Sequence, residues 1–182
     1  MDKRGRWILW VSLAIVVLFI IALFYYYVLY SPNNQRLYQN LVNPVSNLSV
    51  QEAVVNFDDS YIFYLLYTLK AYNLRNPPLS SDNPKISIMV ENRTYYSIIQ
   101  NGLIKVYPGV TTGEDIVIVT TREEIVSMIK DKSYVQESFS SGRSSIALLA
   151  GKTTLFAKGY LNLYTEATGK SVTGNIIRIY SS

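Results

Sequence analysis

The chain contains no cysteine and no histidine among its 182 residues. Without cysteine it can form no disulfide, thiolate nucleophile or cysteine-bound metal site, although this absence does not identify the redox compartment. Without histidine it lacks the commonest general acid–base group. A transition-metal site would need carboxylates alone, and no suitable spacing of carboxylates occurs. The sequence therefore predicts no cofactor and no metal, and it favours a protein that is not an enzyme.

Charge is absent from residues 7–30, a run that is almost entirely apolar or aromatic. As a helix this run would be roughly 36 Å long, enough to cross the hydrocarbon core of a bilayer with some tilt. Trp7 and Trp10 stand at one end and four tyrosines at the other, where such rings favour the two interfaces. The run is too long for the core of a signal peptide and no cleavage site follows it. We therefore predict an uncleaved transmembrane signal-anchor helix within residues 1–30.

The flanking charges predict the orientation of this helix. Lys3, Arg4 and Arg6 precede it, and the first charge after it is Arg36. The positive-inside rule then places the N-terminus in the cytoplasm and the rest of the chain outside a cell membrane crossed once. Beyond the anchor the chain is close to neutral and has no basic stripe, so nucleic-acid binding is not expected.

Residues 31–48 are predicted to be a juxtamembrane linker and residues 49–182 a single extracytoplasmic domain. Ser49 and Glu52 form a capping-box pattern that opens a helix reaching about Tyr72, unless a second helix starts at residues 58–60. Residues 61–66 are apolar on every face of this helix. Such a helix must be buried on most sides or must line an apolar site.

Alternating apolar residues predict four strands over residues 85–90, 94–99, 103–107 and 115–119, with a tight hairpin turn at Asn101–Gly102. Thr121 and Glu124 form a second capping box, which opens a helix through about Lys130. A short helix is predicted at residues 134–139, a helical turn or strand at 145–150, and strands at 153–157, 160–164 and 175–180. This order predicts an α+β domain with a largely antiparallel sheet packed against helices.

From residue 85 onward the pattern resembles the sterol-carrier-protein-2 (SCP2-like) lipid-binding family, and the likeness covers residues 51–166 at most. Members typically show a short G-x-I-x-V strand, an aspartate that opens the next strand, a capped acidic helix and a later glycine–lysine segment. The matching positions are Gly102, Ile104, Val106, Asp115, Thr121, Glu123, Glu124, Gly151, Lys152 and Gly159. Residues 140–150 have no clear counterpart, and the family is usually soluble and intracellular. The resemblance implies an SCP2-like fold with an apolar tunnel for a lipid or acyl chain, and no catalysis.

Apolar side chains on the two predicted helices and a later strand are candidates for such a pocket. The candidates are Phe63, Tyr64, Tyr67, Ile125, Met128, Ile129 and Phe156. Asn47 and Asn92 each begin an N-x-S/T triplet and are glycosylation candidates if the domain faces a glycosylating compartment. Asn92 is the better acceptor because it is predicted to lie in a turn.

Two functions fit these features. The first is a membrane-anchored module that binds a lipid or another hydrophobic ligand. The second is an accessory or structural subunit of a membrane or cell-surface complex. The 16 tyrosines suit either function, since tyrosine serves both apolar pockets and protein interfaces. A binding module would need an apolar cavity of at least ~300 Å³, whereas a scaffold would be packed solid.

Overall fold

The structure, a computed structural model, describes residues 3–29, 42–77 and 80–170, and in the first of these ranges it describes the side chains of residues 10–23. The chain divides into two units, Met1–Gln35 and Arg36–Ser182. The first contains helix α1 (Lys3–Leu29), whose side chains between Trp10 and Leu23 are exposed. Judged on the residues described in this way, no helix has the length and apolarity needed to cross a membrane.

The second unit begins its helical structure with two short helices where the sequence favoured one long helix. Helix α2 spans Val50–Val55 and helix α3 spans Asp59–Thr68. The Ser49 and Glu52 side chains form the predicted capping box. The Asp58 side chain accepts a hydrogen bond from the amide of Ser60, so it caps α3 and starts a new helix. The single long helix was wrong, and the alternative of a second start at residues 58–60 is confirmed.

Five strands form one mixed sheet in the order β3-β2-β1-β4-β5. The strands are β1 (Lys85–Val90), β2 (Arg93–Gln100), β3 (Leu103–Pro108), β4 (Ile116–Thr120) and β5 (Ser145–Leu148). Three of the pairings are antiparallel, and β1 with β4 is parallel. The prediction of a largely antiparallel sheet holds for these pairings, but the central parallel pair makes the sheet mixed.

The β2–β3 hairpin closes through the predicted Asn101–Gly102 turn. Both residues have positive φ, at 53° and 79°, and Gln100 pairs with Leu103 on either side of them. This geometry matches the right-handed twist of the flanking strands. The hairpin therefore fixes the register of β3 at the edge of the sheet.

Helices α4 (Arg122–Lys130) and α5 (Tyr134–Ser140) occupy the predicted positions. The segment at 145–150, left open between helix and strand, is the edge strand β5. The predicted strands at 153–157 and 160–164 are wrong, because the chain instead forms helices α6 (Lys152–Lys158) and α7 (Tyr160–Thr168). Burial of Leu155 and Lys158, three residues apart, has helical spacing and overrides the strand propensity of the threonines. The strand predicted at residues 175–180 lies outside the described residues.

A single core joins one face of the sheet to the helices. The inward residues of the strands alternate, as Ile86, Ile88 and Val90 do on β1. They form one buried cluster with side chains from α2 through α7, including Ala53, Leu65 and Leu163. The domain is thus a small α+β unit with its helices packed on the sheet.

Candidate functional site

Helix α3 is apolar on both its buried and its outward side. Tyr61, Ile62, Leu65 and Leu66 are buried and form a stripe at helical spacing toward the core. On the opposite side, Phe63, Tyr64 and Tyr67 are only half-buried and pack against the edge of the core. An ordinary amphipathic helix would carry polar or charged groups at these outward positions. The three predicted pocket residues of α3 are therefore partly open to the surface.

The outward tyrosines of α3 continue into a short row of rings. The Tyr64 and Tyr67 ring centroids are 6.1 Å apart, and those of Tyr67 and Tyr72 are 5.1 Å apart. Tyr72 lies in a 3-10 turn at Ala71–Asn73, which Lys70 enters with a left-handed φ of 58°. Tilted rings at these separations favour one another. We call Phe63, Tyr64, Tyr67 and Tyr72 the aromatic face.

The predicted pocket residues of α4 occupy a different environment. Ile125, Met128 and Ile129 are at most 3% exposed and belong to the core. Helix α4 begins at Thr121, whose hydroxyl accepts a hydrogen bond from the amide of Glu124, and α4 packs against α2 and α3. The structure thus brings α3 and α4 together. The three α4 candidates lie inside the core, and the three α3 candidates (Phe63, Tyr64 and Tyr67) lie at its margin. A space shared by the two trios stays a prediction.

Phe156 does not join the other six candidates. It is 73% exposed on α6, while its neighbour Leu155 is buried. The sequence analysis placed Phe156 on a predicted strand at residues 153–157. In a helix the inward positions recur every three to four residues, which turns Leu155 and Lys158 inward instead.

A buried ion pair lies where α6 meets the sheet, and the sequence interpretation missed its partners. Lys158 Nζ lies 2.9 and 3.0 Å from the two carboxylate oxygens of Asp115, 3.3 Å from the Asn83 carbonyl oxygen and 2.8 Å from Asp82 Oδ2. Asp115 also accepts a hydrogen bond from the amide of Lys85, at 2.8 Å. The ammonium and the carboxylate are therefore both supplied with partners, as buried charges must be.

Tyr160 completes this buried cluster. Its hydroxyl lies 3.0 Å from Asp115 Oδ2 and 3.1 Å from the Lys85 carbonyl oxygen. Burial, and after it the negative charge of Asp115, raises the pKa of the Tyr160 phenol far above its usual value. The phenol therefore stays protonated and acts as a donor. The Lys158, Asp115 and Tyr160 cluster joins the starts of β1 and β4 to the α6–α7 junction, which is a structural role.

A second polar network links α4, α5 and the start of β5. The hydroxyls of Thr120, Ser144 and Ser138 lie in series at 2.7 and 2.8 Å, and Ser138 Oγ donates to Glu124 Oε2 at 2.6 Å. Glu124 also accepts from the Tyr134 hydroxyl at 3.2 Å. The sequence assigned Glu124 to a capping box, but the carboxylate serves this network instead. The Thr120, Ser138 and Ser144 hydroxyls are buried and hydrogen-bonded within this network, so none of the three is placed as an accessible nucleophile.

Both glycosylation candidates are exposed. Asn92 is the second residue of the tight β1–β2 turn, and Asn47 lies in a turn before α2. In the part of the chain that the structure describes, no three acidic side chains come close enough to hold a metal ion.

Solved structures with a similar fold include sterol carrier proteins. Sterol Carrier Protein 2 Like 2 from Aedes aegypti is 17% identical, with a TM-score of 0.32 over 54% of this chain and 92% of that chain. The UbiJ-SCP2 ubiquinone synthesis protein is 10% identical, with a TM-score of 0.35 over 65% of this chain and 90% of that one. The predicted resemblance is therefore confirmed, as a weak likeness of fold alone.

A similar likeness extends to part of an enzyme. A double mutant of the sec-alkyl sulfatase PisA1 is 13% identical, with a TM-score of 0.36 over 62% of this chain but only 17% of the sulfatase. No protein-family model and no curated protein matches the chain. These likenesses carry no argument about function, which has to come from the site.

Proposed function

We propose that the domain binds a lipid or another hydrophobic ligand at the aromatic face of α3 and performs no chemistry on it. The observation that carries this proposal is the outward side of α3, where Phe63, Tyr64 and Tyr67 are half-buried on a helix that is apolar or aromatic from residue 61 to residue 67. Each ring leaves apolar area in contact with water. Covering such area contributes roughly 25 cal/mol per Å², so an acyl chain laid against the face would gain several kcal/mol.

The chemistry of the rings suits a ligand with one polar end. Tyrosine offers an apolar ring and a hydroxyl, and it is common where one side of a contact is apolar and the other is wet. The row from Tyr64 through Tyr67 to Tyr72 extends along the domain, as an extended chain would require. An acyl chain could therefore lie along the rings with its head group in water.

A binding role without catalysis agrees with the placement of the reactive groups. The chain has neither histidine nor cysteine. Lys158 and Asp115 are engaged with each other inside the fold, and Glu124 is engaged with Ser138. None of these groups belongs to the aromatic face, so the proposed ligand would meet rings and aliphatic side chains.

The same proposal includes a membrane anchor at the N-terminus, with the folded domain outside the cell membrane. Its support is the uncharged run over residues 7–30, the basic residues before it and the exposed apolar side chains of α1 from Trp10 to Leu23. Protease added to intact cells should then remove the domain. Protection of the domain in intact cells, with digestion after lysis, would reverse the proposed orientation.

Ligand binding is tested with the full chain in detergent and an environment-sensitive fluorescent fatty acid as the probe. Tyr64→Ser combined with Tyr67→Ser should lower probe uptake by about tenfold, because two ring contacts are lost. Tyr107→Ser is the matched control, since Tyr107 is also partly exposed but lies on a strand of the sheet. Any binding of the probe to α1 is the same in all variants and therefore does not affect the comparison. Equal uptake by both variants and the wild type would reject the aromatic face as the site.

The second function, an accessory subunit of a membrane complex, would use the same aromatic face against a partner protein. Ile129→Trp tests the predicted space between α3 and α4, which a ligand-binding module would have beneath the aromatic face and a solid scaffold would lack. In a ligand-binding module a tryptophan that fills an apolar space should reduce lipid uptake at modest cost in stability. In a solidly packed scaffold the same change overpacks the core and costs about 1–3 kcal/mol with no lipid to lose. Native mass spectrometry of the wild-type chain then shows either co-purified lipid or a bound protein.

A further inference from the structure

One end of the aromatic face carries a cation. Lys70 follows α3 and lies in the sequence between Tyr67 and Tyr72, whose ring centroids are 5.1 Å apart. Its Nζ lies 2.8 Å from Oε1 of Glu166 on α7. Glu166, through this hydrogen bond and through its negative charge, raises the pKa of the Lys70 ammonium, and the Tyr72 phenol acts in the same direction. The ammonium is therefore charged and lies near the last ring of the row.

The backbone of Lys70 has a conformation that suits glycine. Its φ and ψ are 58° and 31°, and its amide donates to the Tyr67 carbonyl oxygen at 3.0 Å, so Lys70 closes the C-terminus of α3. This position is usually glycine, because a Cβ is crowded in the left-handed conformation. The pair with Glu166 does not by itself explain a lysine here, since its side chains are 47% and 50% exposed and water screens them. Left-handed residues of this kind cluster where a side chain serves a ligand.

The two ends of the aromatic face differ in charge. Asp59 is exposed and lies four residues before Phe63, on the same side of α3. The face therefore has a carboxylate at its Phe63 end and an ammonium at its Tyr72 end. An amphiphile with an anionic head group is repelled from the first end and attracted to the second. This arrangement orients such a ligand, with its chain along the rings and its head group at Lys70.

We propose that Lys70 binds the anionic head group, a carboxylate or a phosphate monoester, of the ligand whose chain lies along the aromatic face. The inference rests on the proposed ligand binding at that face, and it specifies the head group. In the structure, Glu166 occupies the position beside the ammonium that the head group would take. Because this ion pair is half-exposed, exchanging one anionic partner for another breaks only a weak contact. Glu166 therefore competes with the ligand for Lys70.

The test compares three fluorescent probes of one chain length: a fatty acid, the corresponding alkyl phosphate and the corresponding uncharged alcohol. The full chain is studied in nonionic detergent at a pH where the fatty acid is ionised. Lys70→Gln should lower uptake of the anionic probes by about fivefold and leave uptake of the alcohol unchanged, because only a charge is lost. A loss confined to the fatty acid identifies a carboxylate as the head group, and a loss confined to the alkyl phosphate identifies a phosphate.

Two variants control for the loss of a lysine as such. Lys70→Arg keeps the charge and should keep the preference for anionic probes. Lys105→Gln removes an exposed lysine of β3 and should change the uptake of no probe.

Two further variants separate head-group binding from a structural contact between α3 and α7. Lys70→Gly should lower uptake of the anionic probes as Lys70→Gln does, without lowering the melting temperature, because glycine adopts a φ of 58° without strain. Glu166→Gln should raise uptake of the anionic probes, because it removes the competing carboxylate. A lower melting temperature for Lys70→Gly, with unchanged uptake of all three probes, would make the pair a structural contact and overturn the proposal.

Failure of this inference is distinguishable from failure of the proposed site. If Tyr64→Ser with Tyr67→Ser lowers uptake of all three probes but Lys70→Gln lowers none, the aromatic face binds the chain and the role of Lys70 is overturned alone. If the double tyrosine variant lowers uptake of none of the probes, the site and the role of Lys70 are overturned together.

Discussion

Lys158 and Asp115 form an ion pair whose side chains are only 1% and 5% exposed, with 2.9 Å between Nζ and Oδ1. The same ammonium also contacts Asp82 at 2.8 Å, but the Asp82 side chain is 55% exposed. One cation therefore has a buried and an exposed carboxylate at nearly equal distances. The two contacts differ in how much water surrounds them, so they should differ in their effect on stability.

Asp115→Asn should lower the free energy of unfolding by about 3 kcal/mol, because it leaves the buried ammonium without its buried counter-charge. Asp82→Asn is the matched control and should cost less than about 1 kcal/mol, since water screens an exposed pair. Urea unfolding in mild detergent measures both changes. Equal losses for the two variants would show that the buried ion pair stabilises the fold no more than the exposed one does.

Tyr160→Phe should change the dependence of stability on alkaline pH. The folded-state pKa of Tyr160 is raised, so the stability linked to its protonated phenol is present below the unfolded pKa of about 10 and is lost as pH rises above it. The wild type should therefore lose stability above about pH 10, and the variant should lose less over the same range. At neutral pH the variant should be about 1 kcal/mol less stable, because it loses a buried hydrogen bond.

Unfolding free energies at pH 8, 9, 10 and 11 test this, with Tyr164→Phe as the control for a partly exposed tyrosine of the same helix. Parallel pH curves for the wild type and Tyr160→Phe would contradict the prediction.

Ser138→Ala should destabilise the domain by about 1–3 kcal/mol. The hydroxyl of Ser138 joins Ser144 to Glu124, and its loss leaves buried partners without a hydrogen bond. Ser140→Ala, two residues later on an exposed position of α5, should change stability by less than about 0.5 kcal/mol. Thermal unfolding measures the stability of both variants. Equal melting temperatures for Ser138→Ala and Ser140→Ala would contradict the prediction.

Gly102→Val should destabilise the domain by about 1 kcal/mol or more. Gly102 has a φ of +79°, where a β-branched residue is strained, and an added Cβ would lie 3.4 Å from the Tyr72 carbonyl oxygen. Asn101→Gly should be tolerated, because glycine adopts the φ of 53° at that position without strain. A melting temperature unchanged by Gly102→Val would mean that the turn is not under this constraint.

Much of the fold followed from local signals in the sequence. Ser49 and Thr121 are helix caps because a hydroxyl there satisfies an otherwise unpaired amide, whatever the rest of the chain does. Asn101 and Gly102 set a hairpin because they tolerate positive φ. The alternation along β1 follows from burial of one side of a strand. Each of these signals lies within a few residues, so sequence alone suffices.

The candidate site was only partly predictable for the same reason. The all-round apolarity of α3 is visible in the sequence and indicates a second apolar neighbour for Phe63, Tyr64 and Tyr67. Which side of the helix stays half-open depends on where the sheet and α4 lie. The prediction that Phe156 lines the pocket depended on a strand at 153–157. Because this segment is a helix, Phe156 lies on its exposed side, apart from the other pocket candidates.

The sequence by itself determined the caps, the hairpin, the strands β1 to β4 and the apolar character of α3, because these depend on contacts between near neighbours. The tertiary structure alone decided that residues 152–168 are helical, since burial of Leu155, Tyr160 and Leu163 in the common core outweighs local strand propensity. It also decided that β1 pairs in parallel with β4 and that Lys158 meets Asp115 across 43 residues of sequence. These pairings depend on which distant groups are buried together, and only the packing of the whole chain determines that.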